Sequence, residues 1–271
     1  MKKKIFIYGV GAQKAGTTWL YNYIQNDPNA NLGILKEYHF WNYVFVQDKN
    51  PKNNKLESFI NRPQKDLNQG ELIRSLMLRI KGYYGLYFNS IINSGFNITG
   101  DFTPQYQRGA KEHHKYVKDY LESLEFTVKV IFLIRDPVER LWSNIRMEKK
   151  LYKTIPDSIS DSEAIKKSYK FKKWHADSLY DFTINALRLV FEEKNIYVGI
   201  YEEMFNEDKI KEISDFIGIE CNLSMMNKKI NSTLKKEELD INVVKEVKEF
   251  HNETYEFCYE NFPQTKHLWN K

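Results

Sequence analysis

The chain has 271 residues, of which 42% are apolar and 28% charged, and a net charge of +5. That length holds a full hydrophobic core, 40 aromatic residues exclude a disordered chain, and so weak a charge excludes a dedicated nucleic-acid binder. Two cysteines, Cys221 and Cys258, suggest neither a disulfide framework nor a paired-cysteine metal site, and no stretch nears the ~18 apolar residues of a membrane span, so a soluble, cytoplasmic protein is expected.

Residues 4–11 (KIFIYGVG) read as a short buried strand ending in glycine. Residues 17–26 follow with helical spacing, Leu20, Tyr23 and Ile24 sharing a face. Strand, glycine loop, helix is the opening of an α/β nucleotide-binding fold. Further strands are expected at 30–35, 97–101, 128–134 and 196–200. The run VKVIFLI at 128–134 is continuously apolar, as in the buried middle of a parallel sheet. Asp136-Pro137 then reads as an N-cap and first helical position, opening a helix to about residue 150. A last helix is expected over 208–217, stopped by Gly218. The alternation predicts a three-layer α/β fold with a central, roughly five-stranded parallel sheet flanked by helices, in a single domain over 1–271. Two polar inserts, near 42–96 and 151–178, interrupt it. The first carries an amphipathic stretch, Leu72, Ile73, Leu76, Met77 and Ile80.

The loop Gly11-Ala12-Gln13-Lys14-Ala15-Gly16-Thr17-Thr18 nearly matches the phosphate-loop pattern G-x-x-x-x-G-K-[ST]. Glycines let the chain turn so that successive N–H groups converge on phosphate oxygens, and the following helix adds its N-terminal dipole. A nucleotide hydrolase has lysine after the second glycine, where this chain has Thr17; its lysine, Lys14, lies inside the loop. No clear aspartate for magnesium is legible at the end of a later strand: the 128–134 strand runs into Arg135. The loop thus suits a 5′-phosphate region served by a lysine without a metal. Arg135 sits where ligands gather in open α/β sheets and can grip a phosphate through two parallel hydrogen bonds. Ser143, eight residues on, can add a hydroxyl.

Together these segments resemble a known family. Gln13-Lys14-Ala15-Gly16-Thr17-Thr18-Trp19-Leu20 resembles the 5′-phosphosulfate loop of the sulfotransferases, and Ile131–Ser143 (IFLIRDPVERLWS) resembles their 3′-phosphate segment. The resemblance implies 3′-phosphoadenosine 5′-phosphosulfate (PAPS) as sulfo donor, 3′,5′-adenosine bisphosphate (PAP) as product, and no metal. It assigns the donor to Gln13, Lys14, Ala15, Gly16, Thr17 and Thr18, stacks the adenine on Trp19, and gives the 3′-phosphate to Arg135 and Ser143. Lys36-Glu37-Tyr38-His39-Phe40-Trp41 resembles the K-E-P-H-F-F run of carbohydrate sulfotransferases, whose Glu is the proposed base. Gly100-Asp101-Phe102-Thr103-Pro104-Gln105-Tyr106 resembles their G-E-K-[ST]-P-x-Y, and Tyr201-Glu202-Glu203-Met204 the usual Y-E-D-L. Tyr38 and Phe102 depart from the pattern, replacing Pro and Lys.

Sulfuryl transfer is an in-line displacement like phosphoryl transfer, with less charge on the moving group, so a lysine and backbone N–H groups suffice. Lys14 is expected to stabilise the leaving phosphate. Glu37, expected at the end of the second strand with its pKa raised by partial burial, is expected to be the general base; His39, on the same side of an extended chain, is its rival. The acceptor is expected to be a hydroxyl of a saccharide or small metabolite, walled by the two inserts, with neither nucleic acid nor membrane as partner. Tyr83, Tyr84, Tyr87 and Phe88 can stack on sugars but read better as core. His113, His114, His175, His251 and His267 lack metal-ligand spacing and read as surface residues. The alternatives are a P-loop small-molecule kinase, which needs a lysine after Gly16 and a magnesium carboxylate, and a non-catalytic nucleotide-binding module, which has no use for Glu37.

Overall fold

The computed structural model describes residues 3–49, 63, 65, 67–226, 235 and 237–270. Four strands, β1 (Ile5–Gly11), β2 (Ile98–Phe102), β3 (Thr127–Ile134) and β4 (Ile196–Ile200), form one parallel sheet in the order β2-β1-β3-β4. Every residue of β1 and β2 is buried; β1 accordingly reads as an unbroken apolar run rather than an alternating one, whereas β2 (ITGDF) buries the polar Thr99 and Asp101 as well.

Parallel neighbours need long crossovers, and helices supply them. In chain order they are α1 (Thr17–Gln25), α2 (Phe40–Lys49), α3 (Gln69–Arg79), α4 (Tyr83–Asn93), α5 (Lys111–Ser123), α6 (Pro137–Met147), α7 (Asp161–Ser168), α8 (Lys172–Ala176), α9 (Tyr180–Arg188), α10 (Glu207–Ile217), α11 (Ile241–Phe250), α12 (Asn252–Asn261) and α13 (Thr265–Leu268). Their ends follow local chemistry. Asn68 and Glu71 form a reciprocal capping box at α3. The Asp136 carboxylate accepts from Val138 N (2.7 Å) and Glu139 N (3.1 Å), so Asp136 does cap α6 with Pro137 in the first turn. Gly218, at φ 88°, ends α10 as expected. No helix among the described residues is long and apolar enough to cross a membrane.

The α/β class and the parallel sheet are as expected, but the sheet has four strands rather than five. The expected strand at 30–35 reduces to one bridge, Ala30 to Ile98. Asn29 and Asn31 pair with the edge of β2, and the chain then leaves it, because Asn31 and Gly33 close a tight turn with Gly33 at φ 81°. The first insert forms α2, α3 and α4; its Lys- and Asn-rich run at 50–62 lies outside the described residues. The second insert holds a π-type turn (Glu148–Tyr152), α7 and α8.

The main core fills both faces of the sheet and reaches from Ile5 to Trp269. Aromatic residues dominate its α4 side: Phe6 meets Phe88 edge-on at 5.0 Å, and Phe40 stacks on Tyr84 at 4.5 Å. Tyr84 and Phe88 are buried core residues, as their core reading had it. A second apolar cluster joins Val138, Leu141, Trp142 and Ile145 of α6 to Ile165 of α7 and Val247 of α11. The expectation of surface histidines fails for two residues. His114 is fully buried, its Nδ1 3.2 Å from Tyr8 OH, and burial pushes its pKa down to about 4. His251 is buried beside Arg140 and is held at about 3 by burial first and that neighbouring charge second.

Candidate active site

β1 sits between β2 and β3, so the chain leaves β1 toward one side and returns on the other. The loops after β1 and β3 lie side by side there, tied by a hydrogen bond, at the carboxyl-end crevice where such sheets bind ligands. The loop Ala12–Gly16 fills one wall. Lys14 (φ 70°) and Gly16 (φ 89°) both adopt left-handed backbone, which turns successive N–H groups inward as an anion nest. Gly16 is required twice over: a Cβ there would lie 2.6 Å from Met204 Sδ and 2.9 Å from the Tyr201 ring. α1 begins directly after it with no side-chain cap, leaving the N–H groups of its first turn for a ligand.

The opposite wall starts at Arg135. Its Nη1 donates to the Lys14 carbonyl (3.2 Å) and its Nη2 to Glu139 Oε2 (3.1 Å). The guanidinium lies 4.3 Å over the Tyr201 ring. Arg135 Nε is buried without a partner among the described residues. The strand end is buttressed from behind: Tyr180 OH donates to the Arg135 carbonyl at 2.7 Å, and Glu202 accepts both from Asp136 N (3.1 Å) and from Trp269 Nε1 (3.1 Å). Burial pushes the Asp136 carboxyl up to about 6, with the nearby Glu202 charge adding to the rise.

Lys14 Nζ points to α6, where Met147 Sδ accepts from it at 3.4 Å. Its pKa is lowered to about 8, by burial first and then by Arg135, Arg146 and Lys36. Three other cations thus press on Lys14, and Glu37 offsets them only in part, so an added anion there relieves the repulsion. Glu139, Ser143 and Met147 follow at intervals of four on α6 and share one face. Since Glu139 touches Arg135 and Met147 touches Lys14, that face turns to the crevice, and Ser143 lies between them.

Glu37 and His39 lie on the far side of the loop, in the turn that leads into α2 rather than at a strand end. Glu37 Oε1 accepts from Lys36 Nζ (2.7 Å), Oε2 is 3.4 Å from His39 Nε2, and the Glu37 carbonyl accepts from Arg74 Nη2 (2.6 Å). Burial favours a raised pKa as expected, but the His39 and Lys36 contacts outweigh it and hold the carboxyl at about 2. Glu37 also supports the charge on Lys14 electrostatically. His39 does share Glu37's side, through a left-handed residue (φ 58°) rather than an extended chain.

Asp101 organises this turn, a role that sequence reasoning missed. It is fully buried at the end of β2 and accepts from Thr103 Oγ1 (2.6 Å), Tyr106 OH (2.7 Å) and Tyr84 OH (3.2 Å). Thr103 Oγ1 in turn accepts from His39 N (3.2 Å), and Phe102 N donates to the Lys36 carbonyl (3.1 Å). Burial raises its pKa against those donors. The sequence signal was present, an acid in the G-D-F-T-P-Q-Y segment. Arg146 was also missed, and no local pattern marks it; Tyr201 was legible in the Y-E-E-M segment, but not its place under the Arg135 guanidinium.

Gln13, Ala15, Thr17 and Thr18 stand in the loop and first helical turn, as the motif requires. Trp19 is placed differently from a ligand-stacking residue. It is 3% exposed, stacks on Tyr23 (5.1 Å, 12°), and donates from Nε1 to the Met225 carbonyl at 3.2 Å.

A family model described as a sulfotransferase domain matches residues 2–261. No curated protein matches significantly. Among solved structures, a sulfotransferase from Alicyclobacillus acidocaldarius aligns over 99% of both chains at 17% identity, with a TM-score of 0.64. A sulfotransferase domain from the curacin biosynthetic pathway aligns over 87% of this chain and 82% of its own at 15% identity, with a TM-score of 0.50. At those identities the two structures speak for the fold, whereas the family model spans nearly the whole chain: this chain belongs to the sulfotransferase domain family.

Proposed function

We propose that this enzyme transfers a sulfo group from PAPS to a hydroxyl of a saccharide or small metabolite. The observation that carries the reading is the crevice itself: Lys14 and Arg135 meet where an uncapped helix start and a left-handed loop turn N–H groups the same way. The depressed pKa of Lys14 and the partnerless Nε of Arg135 fit a multiply charged nucleotide. The loop takes the 5′-phosphosulfate region, and Arg135 with Ser143 takes the 3′-phosphate. Trp19, stacked on Tyr23 and hydrogen-bonded to the Met225 carbonyl, is not set to stack on an adenine as the family pattern has it.

PAPS bound there supplies a sulfo group on a good leaving phosphate. Lys14 holds its proton against the oxygen that bridges sulfur and phosphorus, where negative charge grows. Glu37 accepts the proton of the acceptor hydroxyl. A carboxylate near pKa 2 is always ready to accept but is a weak base, so the proton moves late, once bonding to sulfur has acidified the hydroxyl. The Glu37–His39 contact of 3.4 Å supports a second arrangement, in which His39 is the base and Glu37 orients it.

Thermal shift tests the donor. PAP is expected to raise the melting temperature and ATP with magnesium to leave it near the free value; the reverse would favour the kinase reading. An acceptor screen with isotopically labelled PAPS, read by mass spectrometry for one added sulfo group, identifies the substrate class.

A further inference from the structure

Glu139 occupies an unusual place. It is the first-turn acid of α6, and both of its carboxylate oxygens are taken by cations: Oε2 by Arg135 Nη2 at 3.1 Å and Oε1 by Lys235 Nζ at 2.7 Å. Its side chain is 30% exposed and that of Arg135 11%, so the pair lies at the crevice mouth and not in the core. Lys235 is 96 residues away in the chain and also lies 4.5 Å over the Trp142 ring of α6. A single carboxylate therefore gathers a cation from the strand end just before its own helix and one from a segment 96 residues away, one on each oxygen, as a phosphate dianion would. A phosphate that takes Nη2 of Arg135 along with its partnerless Nε competes with Glu139 for that nitrogen.

We propose that Glu139 is an internal stand-in for the nucleotide's 3′-phosphate, which the phosphate must displace from Arg135, and that this displacement tunes affinity for 3′-phosphorylated nucleotides. The inference rests on the assignment of Arg135 to that phosphate. Displacement sets a cost on every ligand that engages Arg135 and none on ligands that do not. Glu139 also places a negative charge beside the incoming phosphate, so that a weakly bound nucleotide is repelled.

The test is isothermal titration of PAP and of adenosine 5′-monophosphate, which lacks the 3′-phosphate, into wild type, Glu139→Gln, Glu139→Asp and Arg135→Ala. Glu139→Gln keeps the shape and removes the competing charge. It is expected to bind PAP about two- to tenfold more tightly, the worth of a partly exposed ion pair plus the lost repulsion, with adenosine 5′-monophosphate unchanged. Glu139→Asp, one methylene shorter, is expected to fall between, and it serves if the Gln variant melts too low to titrate. Weaker or unchanged PAP binding in both variants would make Glu139 an orienting partner of Arg135 and overturn the inference. Arg135→Ala separates the two layers. If it weakens PAP selectively while the Glu139 variants gain nothing, only the inference fails. If it weakens both nucleotides equally, the 3′-phosphate assignment fails with it.

Discussion

The Arg135 side chain donates to the main-chain oxygen of Lys14 at 3.2 Å, across 121 residues of sequence. This hydrogen bond ties the loop after β1 to the end of β3. It fixes the Lys14 loop against the Arg135 guanidinium, the two groups proposed to hold the donor nucleotide, before a ligand arrives. Preorganised cations are worth more than mobile ones, because their mutual repulsion is already met by the fold.

Affinity for PAP should depend on pH through Lys14. Its free pKa is about 8, and a bound phosphate raises it, so binding takes up a proton above that value. Affinity is expected to be flat between pH 6.5 and 7.5 and to fall as pH rises through 8. Lys14→Arg should flatten the profile, since arginine keeps its proton. In the ligand-free protein the sign is opposite: the unfolded chain holds that proton more tightly, so this group's contribution to stability grows from pH 8 to 10.5. Titration calorimetry from pH 6.5 to 9.5 reads the first effect, and a PAP affinity independent of pH would remove Lys14 from the donor site.

Arg135→Ala should cost PAP roughly tenfold to a hundredfold in affinity, the worth of a charge-assisted hydrogen bond of about 1.5–3 kcal/mol. Adenosine 5′-phosphosulfate, which lacks the 3′-phosphate, should lose little. Competition binding with both nucleotides checks this, and equal losses would place Arg135 elsewhere on the nucleotide.

Glu37→Gln keeps the hydrogen-bonding shape of Glu37 while removing the proton acceptor. Turnover is expected to fall by roughly 10²–10⁴-fold with PAP affinity near wild type. His39→Ala should lose less. Steady-state rates on any acceptor found in the screen decide between them, because a near-normal Glu37→Gln beside an inactive His39→Ala transfers the base to His39.

Asp101→Asn removes the charge that three hydroxyls converge upon. It should lower stability by about 1–3 kcal/mol and loosen the 36–41 turn through Thr103. Turnover is expected to drop more than PAP affinity, since Lys14 and Arg135 hang from other elements. Chemical denaturation and donor titration of the same variant separate the two effects. A drop in PAP affinity as large as the drop in rate would show that Asp101 supports the whole crevice.

The sequence by itself determined the parts that are local. Unbroken apolar runs reveal β1 and β3, since a strand covered on both faces has no polar side. Glycines at positive φ reveal the loop and the end of α10, since side chains are strained there. Asp136-Pro137 reveals the start of α6, because the cap lies within two residues of what it caps. Lys14, Arg135 and Glu37 were legible as candidates because each sits at a fixed offset within a short segment.

Tertiary structure alone decided the rest. The stretch 30–35 has strand-like composition, yet it makes only one bridge to β2, because Asn31 and Gly33 turn it away from the sheet edge. Glu37 looked set to gain basicity from burial, but its pKa was decided by where the side chains of Lys36 and His39 come to rest. Arg146 and Tyr201 belong to the crevice only because α6 and the end of β4 pack beside the loop. His114 and His251 look alike in sequence to their exposed neighbours, and only packing buries them. In each case the deciding quantity is a distance between segments far apart in the chain. Such distances follow from the packing of the whole core, to which no local pattern gives access.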